Sequence, residues 1–182
     1  MSKTVLVRYG AISEVARFAN ASGESLRRGT DVVVHTHRGV ERGVLLEDAA
    51  ADRNGVNGNG ADLTEEPQIK RFCTADDLRQ SDALRSECEA QFGPWQTRIR
   101  EWNLQLELID LEWTLDRSKL ILYVLNDRGP ECTRLALQAA AAGFGVVEVQ
   151  SVGPDGLVAT PSGHGCGSGG CGSGGESNGC CH

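Results

Sequence analysis

Hydrophobic and polar residues alternate along the first part of the chain in four short runs. Each run is rich in β-branched or aromatic residues, and turn residues such as glycine separate the runs. A period of two, bounded by turn residues, is typical of β-strands that bury one face. We therefore expect residues 1–46 to form a small antiparallel, barrel-like β-module. The four runs are TVLVRYG (4–10), SEVARFAN (13–20), TDVVVHTH (30–37) and VERGVLLE (40–47).

A different pattern begins after an acidic segment. Residues 47–65 are rich in Asp, Asn and Gly and have no hydrophobic period, which predicts a linker. Residues 66–152 predict the element order β-α-β-β-α-β, which is that of a ferredoxin-like module. The predicted fold class is therefore α/β, of the α+β kind. Residues 153–182 are dominated by Gly, Ser and Cys and predict a flexible tail.

The first helix of the second module has a clear predicted start. Thr74 is a candidate N-cap, and Asp77 lies three residues later, as in a capping box. Apolar residues then recur at helical spacing along one face. Proline removes a helical hydrogen bond, so Gly93-Pro94 predicts a kink or a break. The apolar face consists of Leu84, Cys88, Phe92, Trp95, Ile99 and Trp102.

The remaining elements of this module are predicted from strand patterns and helix boundaries. The alternation in LQLELIDLEWTL (104–115) changes phase, which predicts a β-bulge. KLILYVL (119–125) is apolar on both faces, as expected of a central strand. Pro130 predicts the start of a second helix, and Gly143 predicts its end. The ferredoxin-like order places its first strand, PQIKRF (67–72), at the centre of the sheet, although this run is polar, and it ends with the strand GVVEVQ (145–150).

Charge and composition restrict the classes of partner. A net charge of −7 over 182 residues argues against wholesale nucleic-acid binding. Residues 1–46, however, carry seven Arg or Lys against four acids, and two aromatic residues lie among them. We therefore expect a small patch on this segment that faces anions. The sequence gives only weak support for contact with RNA. The cations of the patch are Arg8, Arg17, Arg38 and Arg42, and its aromatic residues are Tyr9 and Phe18.

Three stretches together are similar to one protein family. They are VVVHTHRGVERGVLLE (32–47), IKRFCTADDL (69–78) and LELIDLEWTLDRSKLILYVLNDRG (106–129). They resemble the C-terminal conserved domain of the polymerase-suppressor-protein family, the PSP-type domain, in its bacterial YaaT/RicT-like branch. The sharpest part of the resemblance is Asp116-Arg117-Ser118-Lys119-Leu120, which follows an aromatic strand.

The resemblance implies a non-enzymatic, cytoplasmic regulatory or scaffold protein that binds protein partners. It also implies a place in an RNA-processing or developmental-regulation complex, and a cysteine-bound iron–sulfur cluster. No signal peptide is expected from the first residues, and the sequence contains no long apolar run, so we expect a cytoplasmic address without membrane contact. The residues expected to form the interaction surface are Arg38, Arg42, Asp116, Arg117 and Lys119.

The tail GHGCGSGGCGSGGESNGCCH (163–182) contains the candidate metal ligands. Thiolates and imidazoles bind zinc, and four thiolates hold an iron–sulfur cluster. None of the spacings is the two-residue knuckle typical of zinc motifs, so adventitious metal binding and a redox or disulfide role remain alternatives. The candidate ligands are Cys166, Cys171, Cys180, Cys181, His164 and His182.

Two functions of other classes stay open at this point. One is a metal-handling protein that uses the Cys/His-rich tail. The other is a thiol-dependent enzyme that uses Cys132, which lies near a predicted helix start where the helix dipole favours a thiolate. Against an enzyme, the chain has no nucleophile elbow, no phosphate loop and no His-Glu-x-x-His helix. Cys88 lies on the apolar helix face and is expected in the core.

Overall fold

The computed structural model describes residues 3–20, 26–48, 67–125, 129–154 and 156–158. Five strands form a closed barrel in the order β1-β2-β5-β3-β4. The barrel-like module that the alternation predicts is therefore confirmed, with a fifth strand added. Most of the predicted linker lies outside the described residues. The barrel strands are β1 (Lys3–Tyr9), β2 (Glu14–Asn20), β3 (Asp31–Thr36), β4 (Gly39–Asp48) and β5 (Gln68–Phe72).

The inward-facing residues of the alternating runs form the barrel core. A Cβ at Gly43 would overlap the side chain of Val7, so glycine is needed where β4 closes on β1. The pairing of β1 with β4 is antiparallel and has a register shift after Leu6. The buried apolar residues of this core are Val5, Val7, Tyr9, Phe18, Val32, Val34 and Leu45.

The second unit is a sheet of order β6-β7-β8-β9 with two helices. The α+β class is thus confirmed. Strands β6 and β7 form an antiparallel hairpin, and β7 pairs in parallel with β8 after a crossover through α2. Its elements are α1 (Ala75–Glu101), β6 (Glu107–Trp113), β7 (Leu120–Leu125), α2 (Pro130–Ala141), β8 (Val147–Gly153) and β9 (Gly156–Leu157).

The ferredoxin-like arrangement expected for residues 66–152 is not the one observed. Strand β5 would be the first strand of that module, but it pairs antiparallel with β3 and belongs to the barrel. Lys70, Arg71 and Phe72 of β5 are exposed. The exposed cations Lys70 and Arg71 fit a small barrel open to water, and they would be costly at the buried centre of a sheet.

Helix α1 begins as the sequence predicts. The hydroxyl of Thr74 accepts a hydrogen bond from the Asp77 amide at 3.2 Å, and the Asp77 carboxylate accepts one from the Thr74 amide at 2.7 Å. This completes the capping box. Arg71 forms an ion pair with the same carboxylate and joins the end of β5 to the helix start.

The helix does not break at Gly93-Pro94 but continues to Glu101. Trp95 and Ile99 follow the proline and are buried in the main core. An interior proline costs about 3 kcal/mol. Burying two large apolar side chains contributes about 3–6 kcal/mol, which is enough to offset that cost.

The predicted details of the sheet are confirmed. The β6–β7 register shifts between Leu108 and Asp110, which is the β-bulge expected from the change of phase. Strand β7 lies between β6 and β8, and its first five residues are buried. Pro130 is at the start of α2, and Gly143 has a φ of 84° just after its end. No helix within the described ranges is long and apolar enough to cross a membrane.

Candidate interaction site at the junction of the barrel and the sheet

The β3–β4 turn and the β6–β7 turn, which both lie in the stretches that resemble the family, meet between the barrel and the sheet. The amide of Leu115, in the β6–β7 turn, donates a hydrogen bond to the carbonyl of Val40, in β4, at 2.7 Å. A Cβ at Gly39 would lie 3.3 Å from Cγ2 of Thr114, so the backbone approaches closely there. The two sequence motifs are far apart along the chain but form one junction in space.

Arg38 is the centre of this junction. It is only 1 % exposed, and its guanidinium extends from the β3–β4 turn toward the sheet. Nη1 donates to the hydroxyl of Tyr123, in β7, at 2.7 Å. Nη2 and Nε donate to the two carboxylate oxygens of Glu41 at 2.7 and 3.3 Å. The sequence places Arg38 on an interaction surface. The structure corrects this, because a buried and fully engaged guanidinium is not available to a partner.

Two further carboxylates complete the site. Glu14 lies 3.4 Å from Nη1 of Arg38, and Glu112, in β6, accepts a hydrogen bond from the Tyr123 hydroxyl at 2.6 Å. The amide of Ala11 also donates to Glu112, at 2.9 Å, and so attaches the β1–β2 turn to the sheet. We call this set the Arg38 cluster; its members are Tyr9, Glu14, Arg38, Glu41, Glu112 and Tyr123.

The electrostatics of the cluster follow from its burial. Burial raises the pKa of Glu41 to about 7, although Arg38 and the hydroxyl of Thr36 act in the opposite direction. Burial and the Glu112 carboxylate raise the pKa of Tyr123, so its hydroxyl remains a hydrogen-bond donor. Burial alone would lower the pKa of Arg38, but the surrounding acids outweigh it and keep the guanidinium charged.

A cleft of about 550 Å³ lies beside the cluster, between the barrel and the layer formed by α1 and β6. Tyr9, Glu41 and Glu112 of the cluster line it. Arg42 also lines it and is held by Asp31 at 2.9 Å. The cleft is therefore lined by both positively and negatively charged side chains, and Arg42 faces it from β4.

The β6–β7 turn brings three candidate surface residues together. The carboxylate of Asp116 accepts hydrogen bonds from the amide and hydroxyl of Ser118 at 3.1 and 2.8 Å. Arg117 pairs with Glu87 of α1 at 2.8 Å, and Lys119 pairs with Glu148 of β8 at 2.7 Å. Asp116 and Arg117 are exposed, and Lys119 is partly buried. Arg117 has a φ of 57°, in the left-handed region.

The aromatic residues expected to support RNA contact are inside the barrel. Tyr9 and Phe18 are buried, and their rings pack edge to face with centroids 5.7 Å apart. Neither ring can stack on a base while the barrel is folded. The weak expectation of RNA binding therefore loses its aromatic support.

Two of the three cysteines within the described ranges, Cys88 and Cys132, are buried, and Cys73 is partly exposed. Cys88 is in the main core, as predicted, and burial raises its pKa to about 11. Cys132 is buried, with Sγ 3.4 Å from the hydroxyl of Ser151. Among these ranges, no group of three or more His, Cys, Asp and Glu could hold a metal ion. The candidate ligands lie outside them: Cys166, Cys171, Cys180, Cys181, His164 and His182.

Sequence reasoning missed most members of the Arg38 cluster. Tyr123 offered the clearest signal, because a tyrosine in an otherwise apolar central strand requires a partner for its hydroxyl. Glu41 and Glu112 gave no such signal, because the alternation of hydrophobic and polar residues assigns both positions to the solvent face. Their contacts join segments far apart along the chain, and no local pattern records such contacts.

Comparison with known proteins finds a similarity to one family over the middle of the chain. Residues 67–129 match the model of the PSP1 C-terminal conserved region. The chain is also similar to the stage 0 sporulation protein YaaT of Bacillus subtilis strain 168, with 25% identity over 154 residues. That alignment covers 84% of this chain and 54% of the relative, so the chain spans about half the relative's length. No solved structure matches the chain. Residues 67–129 are therefore similar to the PSP1 C-terminal conserved region, and the two matches confirm the resemblance to the PSP-type, YaaT-like family that the sequence motifs indicate.

Proposed function

We propose that this protein is a non-enzymatic regulatory scaffold, and that the β6–β7 turn is its contact with a partner protein. The turn is the sharpest part of the family resemblance and lies within the PSP1 region. The similar protein from Bacillus subtilis is named for stage 0 of sporulation, which supports a developmental-regulation complex as the setting. The Arg38 cluster holds the barrel and the sheet together behind this turn.

The main support for this contact is the left-handed backbone conformation of Arg117. A φ of 57° costs an L-residue with a large side chain about 1–2 kcal/mol relative to an ordinary conformation. Asn or Gly would occupy the same turn with less strain. The ion pair with Glu87 is exposed at its arginine end and contributes only about 0–1 kcal/mol. The guanidinium also lies 5.6 Å from the centre of the Trp113 ring, a contact worth about 0.5–1 kcal/mol at an exposed site. These two contacts at most balance the backbone strain, so stability gives arginine no clear advantage here, whereas a contact with a partner does.

Groups that could act in catalysis have structural roles instead. Glu41 and Glu112 are bonded to Arg38 and Tyr123, and Cys132 is buried beside Ser151. A thiol enzyme that uses Cys132 would need this sulfur exposed to substrate. These engagements support a scaffold over a thiol-dependent enzyme.

The tail is the second part of the proposal. Its cysteines and histidines would bind an iron–sulfur cluster or zinc, and a bound metal would add a second contact to the complex. Soft thiolate ligands in a glycine-rich chain support this assignment by their chemistry. A metal-handling protein remains the alternative, and it predicts weak, multiple and reversible metal binding in place of one bound cluster.

Quantitative co-purification tests the proposed contact. Tagged wild-type protein, Arg117→Asn and Arg79→Asn are expressed at equal levels in the source organism, and their bound proteins are compared by isotope-labelled mass spectrometry. Arg79 is the matched control, because it is an exposed helical arginine that also pairs with an acid, Asp76.

We expect proteins that bind both the wild type and Arg79→Asn to be depleted at least about tenfold with Arg117→Asn, a loss of about 1.4 kcal/mol. Equal recovery with all three chains would overturn the assignment of the turn. The test requires that Arg117→Asn remains folded, which thermal unfolding of the purified protein establishes.

A further inference from the structure

The outer edge of strand β8 is only partly covered within the described ranges. Strand β9 pairs with Val152 and Gly153 of β8. Just after β9, the Val158 amide donates a hydrogen bond to the carbonyl of Ser151 at 2.9 Å. No other described strand pairs with β8 on this side. Residues 147–150 therefore present an open strand edge, and proteins usually cover or protect such an edge.

Two hydrogen bonds show which residues of β8 direct their backbone groups to this edge. The Leu120 amide of β7 donates to the carbonyl of Val146, just before β8, at 3.0 Å. Backbone groups alternate in direction along a strand, so the even-numbered residues of β8 bond to β7 and the odd-numbered residues point to the other side. Ser151 agrees with this assignment, because its carbonyl accepts from the β9 side. Val147 and Val149 are therefore the positions whose amide and carbonyl groups lie on the open edge.

The chain after β9 runs in the direction that covers this edge. Strands β8 and β9 are antiparallel and pair in a single register. Continued without a shift, this register places Thr160 opposite Val149. It also places Ser162 opposite Val147. Residues 159–162 (ATPS) are therefore enough to reach the start of β8.

The position of the proline in this segment fits the pairing. In an antiparallel pair, only every second residue of a strand donates its amide to the neighbouring strand. Counting from the Val158 amide, the donors toward β8 are Thr160 and Ser162. The backbone nitrogens of Ala159 and Pro161 point away from β8. Proline has no amide hydrogen, so Pro161 loses no bond to β8 and leaves the new outer edge with one donor fewer.

We infer that residues 159–162 extend strand β9 along the open edge of β8. The segment follows directly on residues that are already paired, so it covers the edge without closing a loop. Its attachment to the paired residues also gives it a high effective concentration at the edge, which favours it over a strand from another molecule.

The extension also determines where the candidate metal ligands begin. Strand β8 runs parallel to β7, and Glu148 near its start pairs with Lys119 of the β6–β7 turn at 2.7 Å. Because the extension runs antiparallel to β8, it ends at the same end of the sheet as this turn. The ligands, beginning with His164, then start beside the proposed partner contact. This consequence rests on the proposed function, whereas the strand pairing itself does not.

Hydrogen exchange of the full chain tests the pairing without a partner present. The Val149 amide points to the open edge, and the Gln150 amide, which faces β7, is the internal reference. We expect the Val149 amide to exchange at least about tenfold more slowly than in an unstructured chain. A Val149 amide that exchanges at the unstructured rate would overturn the inference.

A nuclear Overhauser contact in the same sample tests the register. Gln150 and Ala159 are directly opposite in the inferred pairing and do not exchange hydrogen bonds. The Cα atoms of such a pair are only about 4.5 Å apart, so we expect a strong contact between their α protons. Its absence would overturn the inference. This measurement needs no variant, so the inference stays testable if a substitution prevents folding.

Two proline variants of the full chain make the test specific. Thr160→Pro removes the amide that donates to Val149, whereas Ala159→Pro, one residue away, removes an amide that points away from β8. We expect the protection of the Val149 amide to fall at least about tenfold in Thr160→Pro and to change less than about twofold in Ala159→Pro. The Gln150 amide should keep its protection in both variants. Equal effects of the two prolines on Val149 would overturn the inference.

The concentration dependence identifies the molecule that covers the edge. A segment of the same chain protects the Val149 amide equally in two samples that differ about tenfold in protein concentration, because the pairing is intramolecular. Protection that grows with concentration would assign the edge to a second copy of the chain and would overturn the inference.

Discussion

Replacing Arg38 by methionine should destabilise the protein strongly. The substitution keeps most of the apolar volume but removes the guanidinium that Glu41, Glu14 and Tyr123 contact. Glu41 would then be a buried carboxylate without its cation. Removing one partner of a buried ion pair costs about 3–5 kcal/mol, because the other charge is left uncompensated.

The loss of unfolding free energy in Arg38→Met depends on pH and on whether Glu41 is replaced as well. At mildly acidic pH, Glu41 of the variant takes up a proton, so the loss should be smaller at about pH 5 than at about pH 8. The double variant Arg38→Met with Glu41→Leu removes both charges together. Replacing a buried pair by apolar residues is often neutral or stabilising, so the double variant should recover at least about 2 kcal/mol relative to Arg38→Met.

Urea unfolding followed by circular dichroism, which reports on the strands of both units, gives these free energies from the midpoint and slope of each transition, summed over the chain. The same experiment on Glu41→Leu completes the double-mutant cycle. The reasoning would be refuted if Arg38→Met unfolded within about 1 kcal/mol of the wild type, which is the range of an exposed ion pair. It would also be refuted if the two substitutions had simply additive costs.

Two further substitutions test separate parts of the fold. Tyr123→Phe removes the hydroxyl between Arg38 and Glu112 and should lower the free energy of unfolding by about 1–3 kcal/mol, measured by urea titration; an unchanged value would show that this hydroxyl does not join the two units. Pro94→Ala restores a helical amide within α1 and should raise the free energy of unfolding by about 1 kcal/mol or more in a thermal scan; a loss of stability would show that the core requires the proline.

Local patterns were sufficient to predict most elements. The alternation around Val5 and Val32 predicts inward-facing barrel positions, and the change of phase after Leu108 predicts the bulge. The capping box at Thr74 depends on residues only three apart. These features follow from backbone periodicity and local hydrogen bonds, which a sequence records directly.

Contacts between distant segments could not be predicted in the same way. Strand β5 pairs with β3 in the barrel, although its position in the chain suggests a place in the following module. The helix passes Pro94 because residues elsewhere bury Trp95. Arg38 was singled out as a surface cation, since nothing near it in sequence identifies Tyr123 as its partner. In each case tertiary packing overrides the local signal.

The claim that the Arg38 cluster joins the barrel and the sheet into one unit has a direct test. All three tryptophans (Trp95, Trp102 and Trp113) lie in the second unit, so their fluorescence reports on that unit alone. Amide signals of β1 and β4 in nuclear magnetic resonance spectra report on the barrel. Urea unfolding should give coincident transitions by both probes in the wild type and separate transitions in Arg38→Met. Separate transitions in the wild type, or coincident and unshifted transitions in the variant, would contradict the account.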